Sequence, residues 1–389
     1  MSVTDAAGFA AGGVACGIKP DGRSDLAVVT TDDRRPVPAA GTFTTNRAAA
    51  APVQVSRAAL ADGHLAAVVC SSGNANAATG ARGLADARRM AELTATHLGV
   101  AAAEDVAVCS TGLIGIPLPM EALEAGIPRC CAELNGAAAA ADAILTTDTV
   151  RKEVTVGVPG GAGVIGGMAK GAAMLAPAMA TMLAVLTTDV AAAPGVLADA
   201  LAGAVDETFN QLCVDGCTST NDTVLLLASG RSGRRVDADD GSFADALRDA
   251  CASLATQMAA DAEGATKLAR IVVRGAAGTA DARRAARAVA GSQLVQCSLN
   301  GADPYWGRVL SELGASGADL DPDRVTIAYG EVVVCRNGIA AAHDPAALAA
   351  VMAAREVTIT CDLHLGDGTA TVLTTDLSHA YIDENRRTS

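Results

Sequence analysis

The chain has 389 residues, half of them hydrophobic and only 2% aromatic, and its formal net charge is −14. A chain of this length exceeds one typical domain, so we expect two or three structural units with cores of Ala, Val, Leu and Ile. The negative charge disfavours nucleic acid as a partner, because the phosphate backbone is recognised mainly by Lys and Arg.

The chain start and the apolar stretches carry no targeting or membrane signal. Residues 1–5 lack a charged segment followed by an apolar run, and the Ala-rich residues 135–144 are too few and too interrupted to span a bilayer. The 11 cysteines contain no C-x-x-C pair and the five histidines do not cluster. We therefore expect a soluble cytoplasmic protein without a membrane partner or a metal site, and with mostly buried, reduced thiols.

The first half of the chain alternates strands and helices. Apolar runs predict strands at residues 26–31, 41–44, 65–70, 106–109 and 153–158. The run at 65–70 ends in the small and polar residues 71–76, which predict a loop. Helical periodicity predicts a helix over residues 83–98, with Arg88, Arg89 and Glu92 on its polar side.

The second half shows the same mixture. Periodicity predicts helices at residues 194–209, 242–259 and 281–290. Strands are predicted at residues 181–186, 224–227, 269–273, 324–329, 331–335, 357–361 and 370–373. Residues 231–240 read as a polar surface loop. This alternation predicts an α/β fold with mixed sheets layered with helices, rather than a doubly wound sheet.

One motif offers a dinucleotide-binding alternative. Residues 161–166 read G-x-G-x-x-G after a predicted strand, and Asp189 follows about 20 residues later, as a dinucleotide fold requires. Pro159 and Gly160 separate the strand from the motif and would loosen the tight turn that this fold needs. The motif thus indicates a non-catalytic or dinucleotide-binding protein as one alternative.

Four short segments carry residues suited to chemistry. Ser110-Thr111-Gly112 ends a strand, where backbone N–H groups bind an oxyanion or simply form a turn. Thr146-Thr147-Asp148 reads as a helix cap or turn. Lys170 is flanked by Gly167 and Gly171 in an otherwise apolar stretch, and it needs an anionic partner if it is buried. In the segment 261–267, Asp261 and Glu263 follow a long helix, although a helix C-terminus prefers cations.

The segment 166–183 contains a threonine, Thr181, among small and apolar residues. A hydroxyl needs a nearby base to be a good nucleophile, and an N-terminal Thr supplies that base as its own amine. Without further information, the segment reads as a Gly-rich loop, a short helix and an apolar strand. Its sequence, however, resembles the self-cleavage segment of the ornithine acetyltransferase family of arginine biosynthesis.

The resemblance extends over nearly the whole chain, in the family's order. Family-like motifs are Gly8-Phe9, Gly17-Ile18-Lys19, Phe43-Thr44-Thr45-Asn46, residues 215–223, residues 303–308 and residues 374–381. It implies cleavage of the Ala180–Thr181 bond, with Thr181 as nucleophile. The matching oxyanion residues are Thr111 and Gly112. Those that match substrate-binding residues are Thr146, Lys170, Thr181, Glu263, Asn385 and Ser389.

The resemblance also implies fold, reaction and assembly. The fold would be of the N-terminal-threonine nucleophile type, with an alpha chain of residues 1–180 and a beta chain with units at 181–275 and 276–389. The reaction would move an acetyl group from N2-acetylornithine to glutamate without an organic cofactor, and some members accept acetyl-CoA as a co-substrate. The assembly would be a heterotetramer of two alpha and two beta chains.

Some positions depart from the family pattern. Ser71 and Tyr305 each replace a usual Asn, and the tail is one residue short, so Ser389 takes the terminal role only across a gap. Arg386 and Arg387 replace small residues. Two enzyme alternatives stay open: a relative in a secondary pathway with another acetyl donor or acceptor, and an N-terminal-nucleophile amidase or peptidase that passes the acyl group to water.

Overall fold

The computed structural model of the chain describes residues 2–175 and 182–386. The strands are β1 (Phe9–Val14), β2 (Leu26–Thr31), β3 (Val37–Phe43), β4 (His64–Leu65), β5 (Ala67–Asn74), β6 (Val106–Leu113), β7 (Lys152–Gly157), β8 (Val164–Lys170), β9 (Leu183–Thr188), β10 (Thr223–Ala228), β11 (Leu268–Ala276), β12 (Thr326–Tyr329), β13 (Val332–Arg336), β14 (Ile339–Ala340), β15 (Glu356–Asp362) and β16 (Gly368–Thr375). The helices are α1 (Ala51–Ala59), α2 (Gly80–Leu98), α3 (Met120–Glu133), α4 (Ala137–Ala143), α5 (Pro194–Glu207), α6 (Gly241–Ala260), α7 (Thr279–Ala290), α8 (Gln293–Asn300), α9 (Trp306–Ala315), α10 (Pro345–Ala353) and α11 (His379–Asn385).

Two sheets stack face to face in the larger part of the molecule. The first has the strand order β1-β2-β5-β6 and the second β4-β3-β10-β9-β8-β7. Their facing sides share one apolar core, in which Val29 and Val68 of the first sheet join Val185 and Leu225 of the second. Because β2, β9 and β10 are buried along their whole length, their apolar runs do not alternate with polar residues.

Helices cover the outer faces of both sheets. Leu93 of α2 and Ile127 of α3 share a core with the first sheet, and Leu201 of α5 and Leu254 of α6 share one with the second. The result is a four-layer arrangement of helix, sheet, sheet and helix.

A third sheet, with the order β14-β13-β12-β15-β11-β16, builds the C-terminal part. Its β11 pairs in parallel with β15 and antiparallel with β16. Helices α7, α8 and α9 pack on it in a separate core that includes Val289, Val295 and Val309. The predicted α/β fold with mixed sheets layered with helices is confirmed, while the unit boundaries at 180/181 and 275/276 stay predictions.

The predicted loop at residues 71–76 is wrong over its first part. Strand β5 continues to Asn74 beside β6, which itself continues to Leu113. The polar residues are accommodated because they pair with each other across the ladder: the buried Ser71 hydroxyl donates to the Ser110 hydroxyl at 2.9 Å. Both strands therefore carry their small polar residues into the interior.

The glycines at residues 161–166 form a hairpin and not a nucleotide-binding turn. They join β7 to the antiparallel β8, and β8 continues to Lys170, where the sequence suggested a Gly-rich loop. The Asp189 carboxylate accepts the Val164 N–H at 2.8 Å and so anchors the hairpin. A dinucleotide site needs a helix N-terminus after the glycines, so the structure removes the dinucleotide-binding alternative.

Two further features concern cysteines and membranes. All eleven cysteines are free thiols, and eight of them are buried. Among residues 2–175 and 182–386, no helix is both long enough and apolar enough to cross a lipid bilayer.

Candidate active site

A cleft of about 630 Å³ brings together most of the residues singled out by the sequence. Its lining includes Thr111, Gly112, Thr146, Lys170, Glu263 and Asn385. These residues come from five separate parts of the chain, so only the folded structure assembles them. Ala180, Thr181 and Ser389, which complete the predicted site, lie outside the described residues.

Thr111 and Gly112 lie near the C-terminal end of β6. Gly112 has a φ of +132°, and a Cβ atom there would approach the Gly73 carbonyl carbon to 2.2 Å, so only glycine fits. The Asn221 side-chain amide donates to the carbonyl oxygens of Ala75, at 2.6 Å, and Ser110, at 2.9 Å. This strand end is thus fixed in place beside the cleft, as an oxyanion-binding element requires.

Asp148 is the centre of a buried charge cluster behind the cleft. One carboxylate oxygen accepts hydrogen bonds from the Lys152 ammonium at 2.6 Å and from the Gly171 N–H at 2.7 Å. The other accepts a hydrogen bond from the Thr146 N–H at 3.0 Å. Burial alone would raise the pKa of Asp148, but Lys170, Lys152 and these hydrogen bonds hold it well below its usual range. Asp148 is therefore a fixed anion that positions Thr146 and the chain after Lys170.

Lys170 ends β8 and is almost completely buried, with 2% of its surface exposed. Its ammonium lies 3.8 Å from the Asp148 carboxylate. Burial lowers the pKa of Lys170, while Asp148, Glu263 and Asp222 favour its charged form. The anionic partner that the sequence required is thus present in the protein, and the ammonium also lines the cleft, where it can meet a ligand carboxylate.

Asp261, at the end of α6, explains part of the acidic segment after this helix. Its carboxylate binds the Lys152 ammonium and accepts the Thr149 N–H at 2.9 Å. The unfavourable position at the helix C-terminus is therefore offset by a buried cation. Asp261 ties β7 to α6 and does not line the main part of the cleft.

Glu263 and Asn385 line the same cleft and contact each other. The Asn385 amide donates to the Glu263 carboxylate at 2.7 Å, and the Glu263 N–H donates to the Ala172 carbonyl at 2.9 Å. Gly264 has a φ of +63°, and a Cβ atom there would lie 2.3 Å from the Tyr381 nitrogen. This close approach seats helix α11, and with it Asn385, against Glu263.

Three residues were missed as site residues by the sequence argument. Lys19 and Arg23, in the loop between β1 and β2, line the cleft; Lys19 belongs to the Gly17-Ile18-Lys19 motif, which was the available signal. Asp222 is fully buried, and its carboxylate accepts the Met182 N–H at 2.9 Å. Met182 directly follows the predicted nucleophile, Thr181. Burial raises the pKa of Asp222 well above its usual value.

The sequence comparison identifies the family. The model of the ArgJ family matches residues 10–388. The chain belongs to the ArgJ family. The arginine biosynthesis bifunctional protein ArgJ of Thermobifida fusca is 50% identical over 388 residues, which cover 99% of each chain. The protein of the same name from Streptomyces coelicolor is 48% identical over 388 residues, again covering 99% of each chain.

Solved structures of ArgJ-type proteins are also similar. A chain of the bifunctional protein ArgJ from Bacillus halodurans is 36% identical, with a TM-score of 0.50, and the match covers 51% of this chain and 96% of that chain. A chain of Mycobacterium tuberculosis ornithine acetyltransferase, solved with ornithine, is 46% identical with a TM-score of 0.43, covering 45% and 94%. The Bacillus halodurans chain is thus about half as long as this one.

Proposed function

We propose that this chain is a self-cleaving glutamate N-acetyltransferase that moves the acetyl group of N2-acetylornithine to glutamate through an acetyl-Thr181 intermediate. The observation that carries the proposal is the single cleft that holds a rigid strand end, a buried cation and a carboxylate, namely Thr111-Gly112, Lys170 and Glu263. Relatives at 50% and 48% identity that are named for arginine biosynthesis support it.

The chemistry runs in two steps on one nucleophile. The Thr181 hydroxyl adds to the acetyl carbonyl, the oxyanion is stabilised beside Thr111 and Gly112, and ornithine leaves as the amine. The α-amine of glutamate then attacks the acetyl ester, which releases acetylglutamate and restores the Thr181 hydroxyl. Cleavage frees the α-amine of Thr181, and a free α-amine has a reference pKa of about 7.7–8.0, which suits a general base near neutral pH.

The charged residues match the groups of the donor. Acetylornithine carries an α-carboxylate and a side-chain ammonium, which we assign to Lys170 and Glu263. Thr146 and Asn385 contact the substrate in this proposal. The Thr146 N–H donates to the Asp148 carboxylate, and the Asn385 amide donates to the Glu263 carboxylate. Ser389 completes the substrate site in this proposal.

The two-chain organisation belongs to the same proposal. Cleavage before Thr181 gives an alpha chain of residues 1–180 and a beta chain with units at 181–275 and 276–389, which assemble as a heterotetramer in the cytoplasm. The half-length chain of the Bacillus halodurans relative supports two pieces. Supplying acetyl-CoA in place of acetylornithine tests whether it is a second acetyl donor.

Mass spectrometry tests the acyl-enzyme. After mixing with acetylornithine alone, the fragment that begins at Thr181 should gain one acetyl group, and addition of glutamate should remove it and yield acetylglutamate, because one nucleophile serves both substrates in turn. A fragment without acetyl in a preparation that transfers acetyl normally would contradict the intermediate. Release of acetate in place of acetylglutamate would favour an amidase, and transfer only to other amines would favour the secondary-pathway alternative.

Glu263→Gln should weaken the use of acetylornithine by about tenfold or more, measured as kcat/KM. The reason is that the substrate ammonium loses its anionic partner in a desolvated site, and tenfold is the low end of the effect expected there. Self-cleavage should continue. Asp383→Asn, on the exposed side of the same helix as Asn385, is the control and should leave kcat/KM within about twofold. An unchanged preference of Glu263→Gln for acetylornithine over neutral acetyl-amino acids would remove Glu263 from the site.

A further inference from the structure

The loop between β1 and β2 is held rigidly at the mouth of the cleft. The carboxylate of Asp25, which is fully buried, accepts the backbone N–H groups of Cys16 (2.7 Å), Gly17 (3.0 Å), Ile18 (2.7 Å) and Lys19 (3.1 Å). Four hydrogen bonds to one charged acceptor fix this stretch of backbone. Lys19 is therefore presented to the cleft by a preorganised loop.

The Lys19 side chain lies beside the predicted oxyanion-binding strand end. A Cβ atom on Gly73 would approach the Lys19 Cγ atom to 3.2 Å, and Gly73 pairs directly with Gly112 in the sheet. The stem of Lys19 thus packs over the strand that neighbours Thr111 and Gly112. Only 6% of the surface of Lys19 is exposed. Lys19 and Lys170 line the same cleft.

The Lys19 ammonium lacks a counter-charge within ion-pair distance. It donates to the Ser24 carbonyl oxygen at 2.6 Å, which uses one of its three N–H groups. No carboxylate lies within 4 Å of it among residues 2–175 and 182–386, in contrast to Lys152 and Lys170, which both pair with Asp148. A buried cation without a paired anion is unfavourable unless a ligand supplies the charge.

The charges around Lys19 agree with an open anion site. Burial and the nearby Arg23 lower the pKa of Lys19 to about 8, and Lys170 acts in the same direction, whereas Asp25 and Asp21 partly oppose the shift. Arg23 itself is paired with Asp21 at 2.6 Å. An incoming carboxylate would therefore meet Lys19 as the cation that the protein leaves uncompensated.

We propose that Lys19 is a specificity-determining residue that binds the side-chain carboxylate of the acceptor amino acid. The inference rests on the proposed acetyl transfer to glutamate. Glutamate carries one carboxylate more than acetylornithine and no side-chain ammonium. Its second carboxylate is repelled by Glu263 and needs a cation besides Lys170. Lys19 supplies that cation, so the cleft uses Glu263 for the donor side chain and Lys19 for the acceptor side chain.

The test compares glutamate with glutamine, which keeps the shape and the α-carboxylate of glutamate but has a neutral side chain. In Lys19→Met, kcat/KM for glutamate in deacetylation of the acetyl-enzyme should fall about tenfold or more. The value for glutamine, and the rate of enzyme acetylation by acetylornithine, should stay within about twofold. Lys19→Arg, which keeps the charge, should retain most of the preference for glutamate over glutamine.

Two results would overturn the inference. One is an equal loss of kcat/KM with glutamate and with glutamine in Lys19→Met, and the other is a kcat/KM for glutamate that does not fall at all. Calorimetric titration of wild type and variant with each amino acid gives the same comparison without turnover. If wild type binds glutamate but transfers no acetyl to it, the proposed function fails. The selective loss of glutamate affinity in Lys19→Met still decides the role of Lys19.

Discussion

Purified Thr181→Ala protein should run on a denaturing gel as one chain of 389 residues, whereas wild type should separate into residues 1–180 and residues 181–389. The alanine variant lacks the hydroxyl that, in the proposed mechanism, attacks the preceding peptide bond and, later, the acetyl group. Its transferase activity should fall by about 10⁴-fold or more, as expected when the nucleophile of a covalent mechanism is removed. Thr181→Ser keeps a hydroxyl and should still cleave. An active wild type that runs as one full-length band would contradict the mechanism.

The two pieces should elute together in gel filtration, because both contribute strands to the same central sheet. In the order β4-β3-β10-β9-β8-β7, the inner strands β10 and β9 belong to the second piece, and strands of the first piece flank them on both sides. Both junctions, β3 with β10 and β8 with β9, are continuous ladders of five or more residue pairs. Separation would break both ladders and expose the core between the sheets.

The sequence predicts best those strands that are buried on both faces. The strand predicted at 26–31 matches β2, and that at 224–227 lies within β10. Both runs are short and free of charged residues, which is typical of strands buried on both faces. β8 was read as a Gly-rich loop, since Gly166 and Gly167 have low strand propensity. Gly166 is needed in this strand because the N-terminal segment packs closely against it. A Cβ atom on Gly166 would lie 2.3 Å from the Ser2 carbonyl oxygen.

The site was predictable only where a family motif marked it. Thr111, Lys170 and Glu263 were found by resemblance, and the structure brings them to one cleft. The sequence predicted Asp148 as a local cap or turn residue. This describes one of its contacts, because its carboxylate accepts the Thr146 N–H. Its contact with Gly171 joins residues 23 positions apart, and no local pattern encodes such a contact.

Asp148→Asn should be among the most destabilising conservative substitutions in the protein. Lys170 would lose the carboxylate 3.8 Å away, and Lys152, whose side chain has no exposed surface, would keep only Asp261. Removing one partner from a buried ion pair costs about 3–5 kcal/mol. For a chain of this length we expect Tm to fall by about 4–6 °C. The measurement is best made on the Thr181→Ala background, where a single chain unfolds.

The control is Asp206→Asn. This substitution removes a partly exposed ion pair, in which Asp206 lies 2.6 Å from Arg283, and it should change Tm by about 1 °C or less.

The pH dependence of stability gives a second check. Burial lowers the pKa of Lys170, and Asp148 opposes that shift, so the pKa should fall further in Asp148→Asn. Between the folded and the unfolded pKa of this lysine, the unfolded state binds more protons, and stability therefore rises with pH. The Tm deficit of Asp148→Asn should thus shrink as the pH rises from neutral toward the ordinary lysine pKa of about 10.4. A deficit that stays constant over this range would mean that the uncompensated Lys170 charge is not its cause.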